Sequence, residues 1–264
     1  MAMTPNQSSA TPVIRFENVH KRFGPLIVLD GLNLDIPADQ TTVIIGPSGT
    51  GKSVLLKHIV GLLKPDSGNI YFHGQRIDNL REAEMEPLRK CFGFLFQLGA
   101  LFDSMTVGEN IAFPLRQHGG FTEARIRAIV HEKLSIVGLA GLEAKMPADL
   151  SGGQRKRVAL ARAVAMNPEV ILYDEPTTGL DPIRADVINE LILQIQKQFK
   201  GTGIVVTHDM ASAFKVADQI VMLLHGKIVY RGTPDEIRGC PDPEVQRFIQ
   251  GRASEAELNA LGKL

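Results

Sequence analysis

The sequence predicts an α/β domain built on a largely parallel sheet, and three observations carry that prediction. Short β-branched strands alternate with helical segments along most of the chain. One such strand runs into a glycine-rich turn that opens a helix. The chain has 264 residues and is 44% hydrophobic, enough for one substantial closed core.

Taken in order, Val13 to Val19 and Gly31 to Ile36 alternate apolar and polar residues, the pattern of antiparallel strands with one buried face. They form an antiparallel β subdomain. Thr42 to Ile45 is a short buried parallel strand, and the helix after it carries Val54, Leu55, Ile59, Leu62 and Leu63. Ile70 to Phe72 is a further strand entering a turn. The pattern becomes helical from about residue 106 to 166, with helices over 126–137 and 155–166. This stretch interrupts the alternation and predicts an inserted helical subdomain over about 98–166. Strands follow at Val170–Tyr173, Ile204–Thr207 and Ile220–Leu224, with helices at 185–199 and 210–216. The expected division is a polar tail (1–12), the α/β domain (13–238) and a C-terminal extension (239–264) with short helices over 244–249 and 255–261.

Composition removes several function classes. Lys plus Arg and Asp plus Glu stand at 29 each, so there is no basic surplus for nucleic acid. Cys91 and Cys240 lie in no CxxC pair and read as free thiols of a reducing compartment. The first dozen residues are polar, unlike a signal peptide. No apolar run approaches the ~18 residues of a membrane span. Any membrane work therefore needs another chain to do the spanning.

The chemistry starts at Gly46-Pro47-Ser48-Gly49-Thr50-Gly51-Lys52-Ser53, which fits GxxxxGK[ST] between a strand and a helix. The glycines let backbone N–H groups turn inward around phosphates, and the helix N-terminus adds positive potential. Lys52 is placed to reach the β- and γ-phosphates of ATP, and the Ser53 hydroxyl to bind Mg²⁺. Val170 to Tyr173 ends in Asp174-Glu175, two carboxylates closing an apolar strand. Asp174 suits the Mg²⁺ shell; Glu175 suits orienting the attacking water. The expected core is a P-loop NTPase of RecA-like type.

Leu150-Ser151-Gly152-Gly153-Gln154 lies about twenty residues before the Asp-Glu strand. With a phosphate loop, LSGGQ and that strand in this order, the chain resembles the ATP-binding-cassette (ABC) ATPases over roughly Val13 to Gly232. The resemblance implies an ABC nucleotide-binding domain working as a head-to-tail dimer with a second copy of itself. In that dimer Ser151, Gly152, Gly153 and Gln154 would meet the ATP held by the partner. A helix N-terminus with free N–H groups is physically suited to that task, although Ser151 is also an ordinary N-cap. By the same resemblance Gln97 is the glutamine that senses Mg²⁺. His208 contacts the γ-phosphate and holds Glu175, and Asp181 crosses the dimer interface. Phe23 resembles the aromatic that stacks on adenine, with a core phenylalanine as the other reading. Stacking alone would discriminate ATP from GTP poorly.

Cargo clues lie in Leu98 to Leu115, an apolar stretch suited either to an interface or to packing inside the helical subdomain. Phe96-Gln97-Leu98-Gly99-Ala100-Leu101-Phe102 with Ser104-Met105-Thr106-Val107, Pro182-Ile183, and Pro241 to Gly251 resemble the ATPases of Mla-type, MCE-associated phospholipid transport. That resemblance implies an integral membrane permease (MlaE-like), a periplasmic MCE protein (MlaD-like) and a STAS-domain regulator (MlaB-like). It places the chain peripherally on the cytoplasmic face of the bacterial inner membrane, with phospholipid as the cargo. A cassette for amino acids, metals or drugs would show the same catalytic residues. A soluble cassette acting on ribosomes or DNA would carry two cassettes or a long coiled coil, and neither is present. The tail after residue 250 reads either as a strap onto the neighbouring ATPase or as a frayed end.

Overall fold

The computed structural model describes residues 12–253 and residue 259. Two sheets organise them. Strands β1 (Ile14–Phe23), β2 (Leu26–Ile36), β4 (Ser67–Phe72) and β5 (Gln75–Arg76) form a four-stranded antiparallel sheet in the order β2-β1-β4-β5. The second sheet has six strands: β3 (Thr41–Ile45), β6 (Phe92–Leu95), β7 (Val170–Asp174), β8 (Thr202–Thr207), β9 (Gln219–Leu224) and β10 (Lys227–Gly232). Their order is β10-β9-β3-β8-β7-β6, parallel except for the antiparallel edge strand β10.

The helices are α1 (Lys52–Ile59), α2 (Glu82–Arg89), α3 (Val107–Gln117), α4 (Glu123–Ile136), α5 (Gly152–Ala163), α6 (Pro182–Phe199), α7 (Met210–Val216), α8 (Pro234–Arg238) and α9 (Pro243–Ile249).

Period-two alternation divides the core. Val43 and Ile45 of β3 point to one face of the large sheet, where Ile171 and Tyr173, Val205, and Ile220 and Met222 join them against α3 to α7. Ile44 points to the other face with Leu172, Ile204, Val206, Val221 and Leu223, against α1 and the antiparallel sheet. These strands are buried on both sides, which is why they read as continuous β-branched runs.

Helix starts differ from the sequence expectation for local reasons. The third helix of the helical stretch runs over Gly152–Ala163 rather than 155–166, because Ser151 caps it and Gly152 and Gly153 enter the first turn. Likewise α6 begins at Pro182, not residue 185: proline is favoured in a helix's first turn, and Asp181 accepts from Arg184 N–H as its cap. Between α4 and α5 the chain is irregular apart from one 3₁₀ turn, Pro147–Asp149. Helix α9 buries Val245 in the main core, and Gln246 Nε2 donates to the carbonyls of Ile237, Arg238 and Cys240. Of the helix expected over 255–261 only residue 259 is described, and it is helical; the rest lies outside the described residues.

Candidate active site

Strand order places the site. Strand β3 lies between β8 and β9, and β8 lies between β3 and β7, so their carboxyl ends emerge side by side: Ile45 pairs with Thr207, and Asp174 with Val206. Ligands of open α/β sheets bind at this edge. The segments leaving those three ends are the glycine-rich loop, His208 and Glu175.

The loop requires its glycines. At Gly46 (φ +154°) a Cβ would lie 2.3 Å from the Leu223 carbonyl oxygen, and at Gly51 (φ +97°) 2.5 Å from Val28 Cγ1. Thr50 Oγ1 donates to the Pro47 carbonyl at 2.9 Å and closes the turn, while Ser48 and Gly49 face outward. No side chain caps α1, whose N-cap is Gly51, so its first N–H groups remain available to an anion. Lys52 is buried, with Nζ donating to the carbonyls of Gly46 (2.8 Å) and Pro47 (3.0 Å). Burial lowers its pKa from the ordinary lysine value, against the opposing pull of Glu175 and Asp174.

Across from the loop, Ser53 Oγ donates to Asp174 Oδ1 at 2.7 Å. Burial raises the Asp174 carboxyl above its usual range despite that bond. One hydroxyl and one carboxylate converging at the loop make a hard oxygen donor pair of the sort Mg²⁺ takes, with phosphate and water completing the shell. Among the described residues no group of three or more His, Cys, Asp or Glu could hold a metal ion.

Glu175 follows β7 in a left-handed conformation (φ +50°), uncommon for a residue with a side chain. Its N–H is tied to the Val206 carbonyl at 2.9 Å. The carboxyl is held on several sides. His208 Nδ1 lies 3.0 Å from Oε1 and 2.9 Å from Oε2, Thr178 Oγ1 donates to Oε2 at 3.1 Å, and Thr207 Oγ1 does so at 3.4 Å. With the carboxyl accepting, Nδ1 of His208 carries the proton, and the half-exposed ring presents Nε2 outward.

Behind these groups lies a buried polar chain that the sequence did not announce. Asn189 Nδ2 donates to Ser212 Oγ (2.9 Å), and Ser212 Oγ donates to Asp209 Oδ2 (2.6 Å). The Asp209 N–H donates to Thr207 Oγ1 at 3.0 Å, and Asp209 Oδ1 caps α7 by accepting from Ala211 N–H. Thr207 closes the chain on Glu175.

Other expected residues stand apart. Gln97, two residues beyond the end of β6, has an exposed side chain with no hydrogen bond to Ser53 or Asp174. Phe23 sits at the β1–β2 hairpin tip, 46% exposed, which removes the core-phenylalanine reading. Lys21 Nζ lies 5.5 Å from its ring centroid and is itself held by Asp66. Ser151 and Gln154 form a capping box: Gln154 N–H donates to Ser151 Oγ, and Ser151 N–H to Gln154 Oε1. Asp181 caps α6 and pairs with Arg184 at 3.2 Å.

The stretch after Gln97 divides by exposure. Leu101 packs on the core, whereas Leu98 is 91% exposed and Phe96 and Phe102 are partly so. Arg162 donates to the carbonyls of Gly99 and Ala100 at 2.8 Å, and buried Asn110 clamps Phe102, Met105 and Thr106 through four hydrogen bonds. Both alternatives for this segment therefore hold in part: one side is internal packing, the other an exposed apolar surface.

A family model described as "ABC transporter" matches residues 29–178. The chain belongs to the ABC transporter family. It is an ATPase, and its fold is the family's nucleotide-binding domain. The dimeric post-hydrolysis structure of the ATP-binding cassette MJ0796, bound to ADP and Pi, superimposes with a TM-score of 0.77 at 33% identity. The match covers 84% of this chain and 98% of that one. The cbiO1 protein from Clostridium perfringens, part of the ABC transporter complex cbiONQ, matches at TM-score 0.80 and 30% identity, over 96% and 100% of the two chains. Among curated relatives, the MlaF intermembrane phospholipid transport ATP-binding protein of Haemophilus influenzae is 42% identical over 91% of both chains. Its Escherichia coli K12 counterpart is 38% identical over 94% of this chain and 92% of that one. A probable ribonucleotide transport ATP-binding protein of Mycobacterium leprae is 44% identical, over 90% of this chain and 69% of that protein. Cassettes of this family dimerise and work with membrane components. No helix among the described residues is long and apolar enough to cross a membrane.

Proposed function

We propose that this cassette energises phospholipid transport between the inner and outer membranes of a bacterium, as the peripheral ATPase of an Mla-type complex. The observation that carries this reading is end-to-end similarity to two phospholipid-transport ATPases, each matched over more than nine-tenths of both chains. The exposed apolar loop around Leu98 and Phe102 supports it as a surface for an integral permease. A periplasmic MCE protein and a STAS-domain regulator are the expected further partners. Ribonucleotide transport is the competing cargo, favoured by the 44% identity to the mycobacterial protein, which extends well beyond the matched region.

In the proposed reaction the Gly46–Ser53 loop and the α1 N-terminus hold the phosphates of ATP, with Lys52 swinging from the loop carbonyls to the β- and γ-phosphates. Mg²⁺, held through Ser53 and Asp174 and approached by Gln97, would neutralise charge on the phosphate oxygens. Glu175 takes the proton of the attacking water. The water oxygen bonds to the γ-phosphorus as the bond to the ADP oxygen breaks. His208, held by Glu175 through Nδ1–H, faces the γ-phosphate with Nε2, which donates to a phosphate oxygen when that nitrogen also carries a proton. Phe23 stacks on the adenine from the hairpin that leans on the loop through Val28.

The second copy completes the site. Among the described residues, apart from its chain neighbours and the helix's own backbone, nothing lies within 4 Å of a Cβ placed at Gly152. A side chain there is therefore not excluded by the chain's own packing, which supports close approach of a partner's nucleotide to Ser151, Gly152, Gly153 and Gln154, with Asp181 facing the same interface.

The test is capture of tagged Glu175→Gln protein from native membranes, with proteins and lipids identified by mass spectrometry, alongside its ATPase rate. The reading expects retained ATP binding, hydrolysis slowed about 10²–10⁴-fold, and a multi-span permease recovered with an MCE protein and phospholipid. Recovery of a permease with nucleotides and no lipid would transfer the cargo to the competing reading. Near-normal turnover would remove Glu175 from its role.

A further inference from the structure

Helix α5 carries a charged residue on its inward stripe. Gly153, Lys156, Leu160 and Ala163 are buried along one face, and Lys156 is only 8% exposed. Its ammonium has three donors and meets three acceptors, the carbonyls of Glu175 (3.3 Å), Pro176 (2.9 Å) and Thr178 (2.7 Å). These belong to the turn that sets the Glu175 carboxyl. Glu175 is itself left-handed, and Thr178 is the residue whose hydroxyl holds Oε2. An ammonium is a costly group to bury, and an apolar residue fills such space at less cost when filling is all that is needed. One turn away, the same helix begins at the Ser151–Gln154 capping box, on the exposed side of the molecule.

We propose that Lys156 is a positioning residue that couples the N-terminus of α5 to the Glu175 turn of the same chain. When nucleotide on the partner subunit draws α5 into place, Lys156 carries that displacement to the carbonyls of Glu175, Pro176 and Thr178. The carboxyl is then set over its own nucleotide. The two composite sites of the dimer thereby communicate through a single side chain in each copy. This inference rests on the reading of Glu175 and of the α5 N-terminus given above.

The test uses the full-length chain purified with its membrane partners, comparing Lys156→Met with Lys156→Arg. The methionine variant keeps length and burial but has no donor. Its kcat should fall about 10- to 100-fold, the usual scale for lost positioning. Its KM for ATP should stay within about threefold, and cooperativity in ATP should fall towards a Hill coefficient of about 1. The arginine variant, which restores charged donors, should recover cooperativity and much of kcat. Unchanged kcat and cooperativity in Lys156→Met overturn the inference. So does equal loss of nucleotide binding and melting temperature in both variants, which would make Lys156 a purely structural group. If the methionine variant does not fold, Lys156→Leu, which likewise has no donor, replaces it under the same criteria. Glu175→Gln measured in parallel separates the failures. An inactive Glu175→Gln beside an unaffected Lys156→Met sinks the coupling alone; an active Glu175→Gln sinks the reading beneath it.

Discussion

Replacing Asp209 by alanine should cost this cassette more stability than a partly exposed loop residue normally carries, and the structure gives the sum. Asp209 caps α7 through Oδ1, a contribution of about 1 kcal/mol. Its other oxygen accepts from Ser212 Oγ at 2.6 Å, and Ser212 is 1% exposed, so the variant removes a buried hydrogen bond to a charged group, about 1.5–3 kcal/mol, and leaves that hydroxyl only the longer 3.3 Å contact to Thr177 Oγ1 as an acceptor. The two losses share one side chain and add to roughly 2.5–4 kcal/mol. In a domain of this size that is a fall in melting temperature of roughly 5–15 °C. Urea unfolding of the wild type, Asp209→Ala, Ser212→Ala and the double variant measures it directly. A coupling energy of about 1 kcal/mol or more between the two positions is expected. Turnover should also fall about tenfold, because the freed segment loosens Thr207 behind the Glu175 carboxyl. A destabilisation below about 0.5 kcal/mol, or strictly additive single variants, would refute the idea that this buried chain acts as one unit.

Two further outcomes can be checked. Phe23→Ala should weaken ATP and GTP binding alike, by about 1–3 kcal/mol for one lost stack; titration with both nucleotides reads this, and unchanged affinity would remove Phe23 from the site. Burial lowers the Lys156 ammonium to about 8, with Glu175 opposing the shift. The folded state therefore loses this proton before the unfolded chain does, near 10.4. Between those values the unfolded state binds more protons, so this group's contribution to unfolding free energy rises with pH. Its hydrogen bonds weaken over the same window. Wild-type kcat should accordingly decline above about pH 8 relative to Lys156→Met, and parallel pH profiles for the two proteins would refute the assignment.

The fold was legible where residue type and local order carry it. Gly46 to Ser53, Asp174-Glu175 and His208 lie at three strand ends, and continuous β-branched runs alternating with helices were enough to place those ends in one parallel sheet. Strand β6 was harder: Phe92-Gly93-Phe94-Leu95 is short, and an apolar run of four does not distinguish a strand from a helix turn. Half of helix α2 is charged and it buries only Met85, so it leaves almost no periodic trace. The network from Asn189 to Glu175 depends on hydrogen bonds between residues 23 and 32 positions apart, through side chains that could equally have faced solvent, and only the packing of α6 on α7 decides it. Lys156 did leave a signal. It stands three residues after Gly153 and four before Leu160, on the stripe that had to face inward, and a lysine there demanded a partner.

The clamp by Asn110 and Arg162 on residues 99–106 has a kinetic consequence. A surface loop of this length ordinarily loses about 1–2 kcal/mol of backbone entropy per residue when a partner immobilises it. Here six hydrogen bonds from α3 and α5 have fixed that backbone in the isolated chain already. Leu98 and Phe102 therefore meet a partner from a rigid platform, and little free energy is withdrawn from docking to create order. Association should be fast and dissociation governed by the few apolar contacts themselves, a combination suited to a joint that is loaded and unloaded at every turnover.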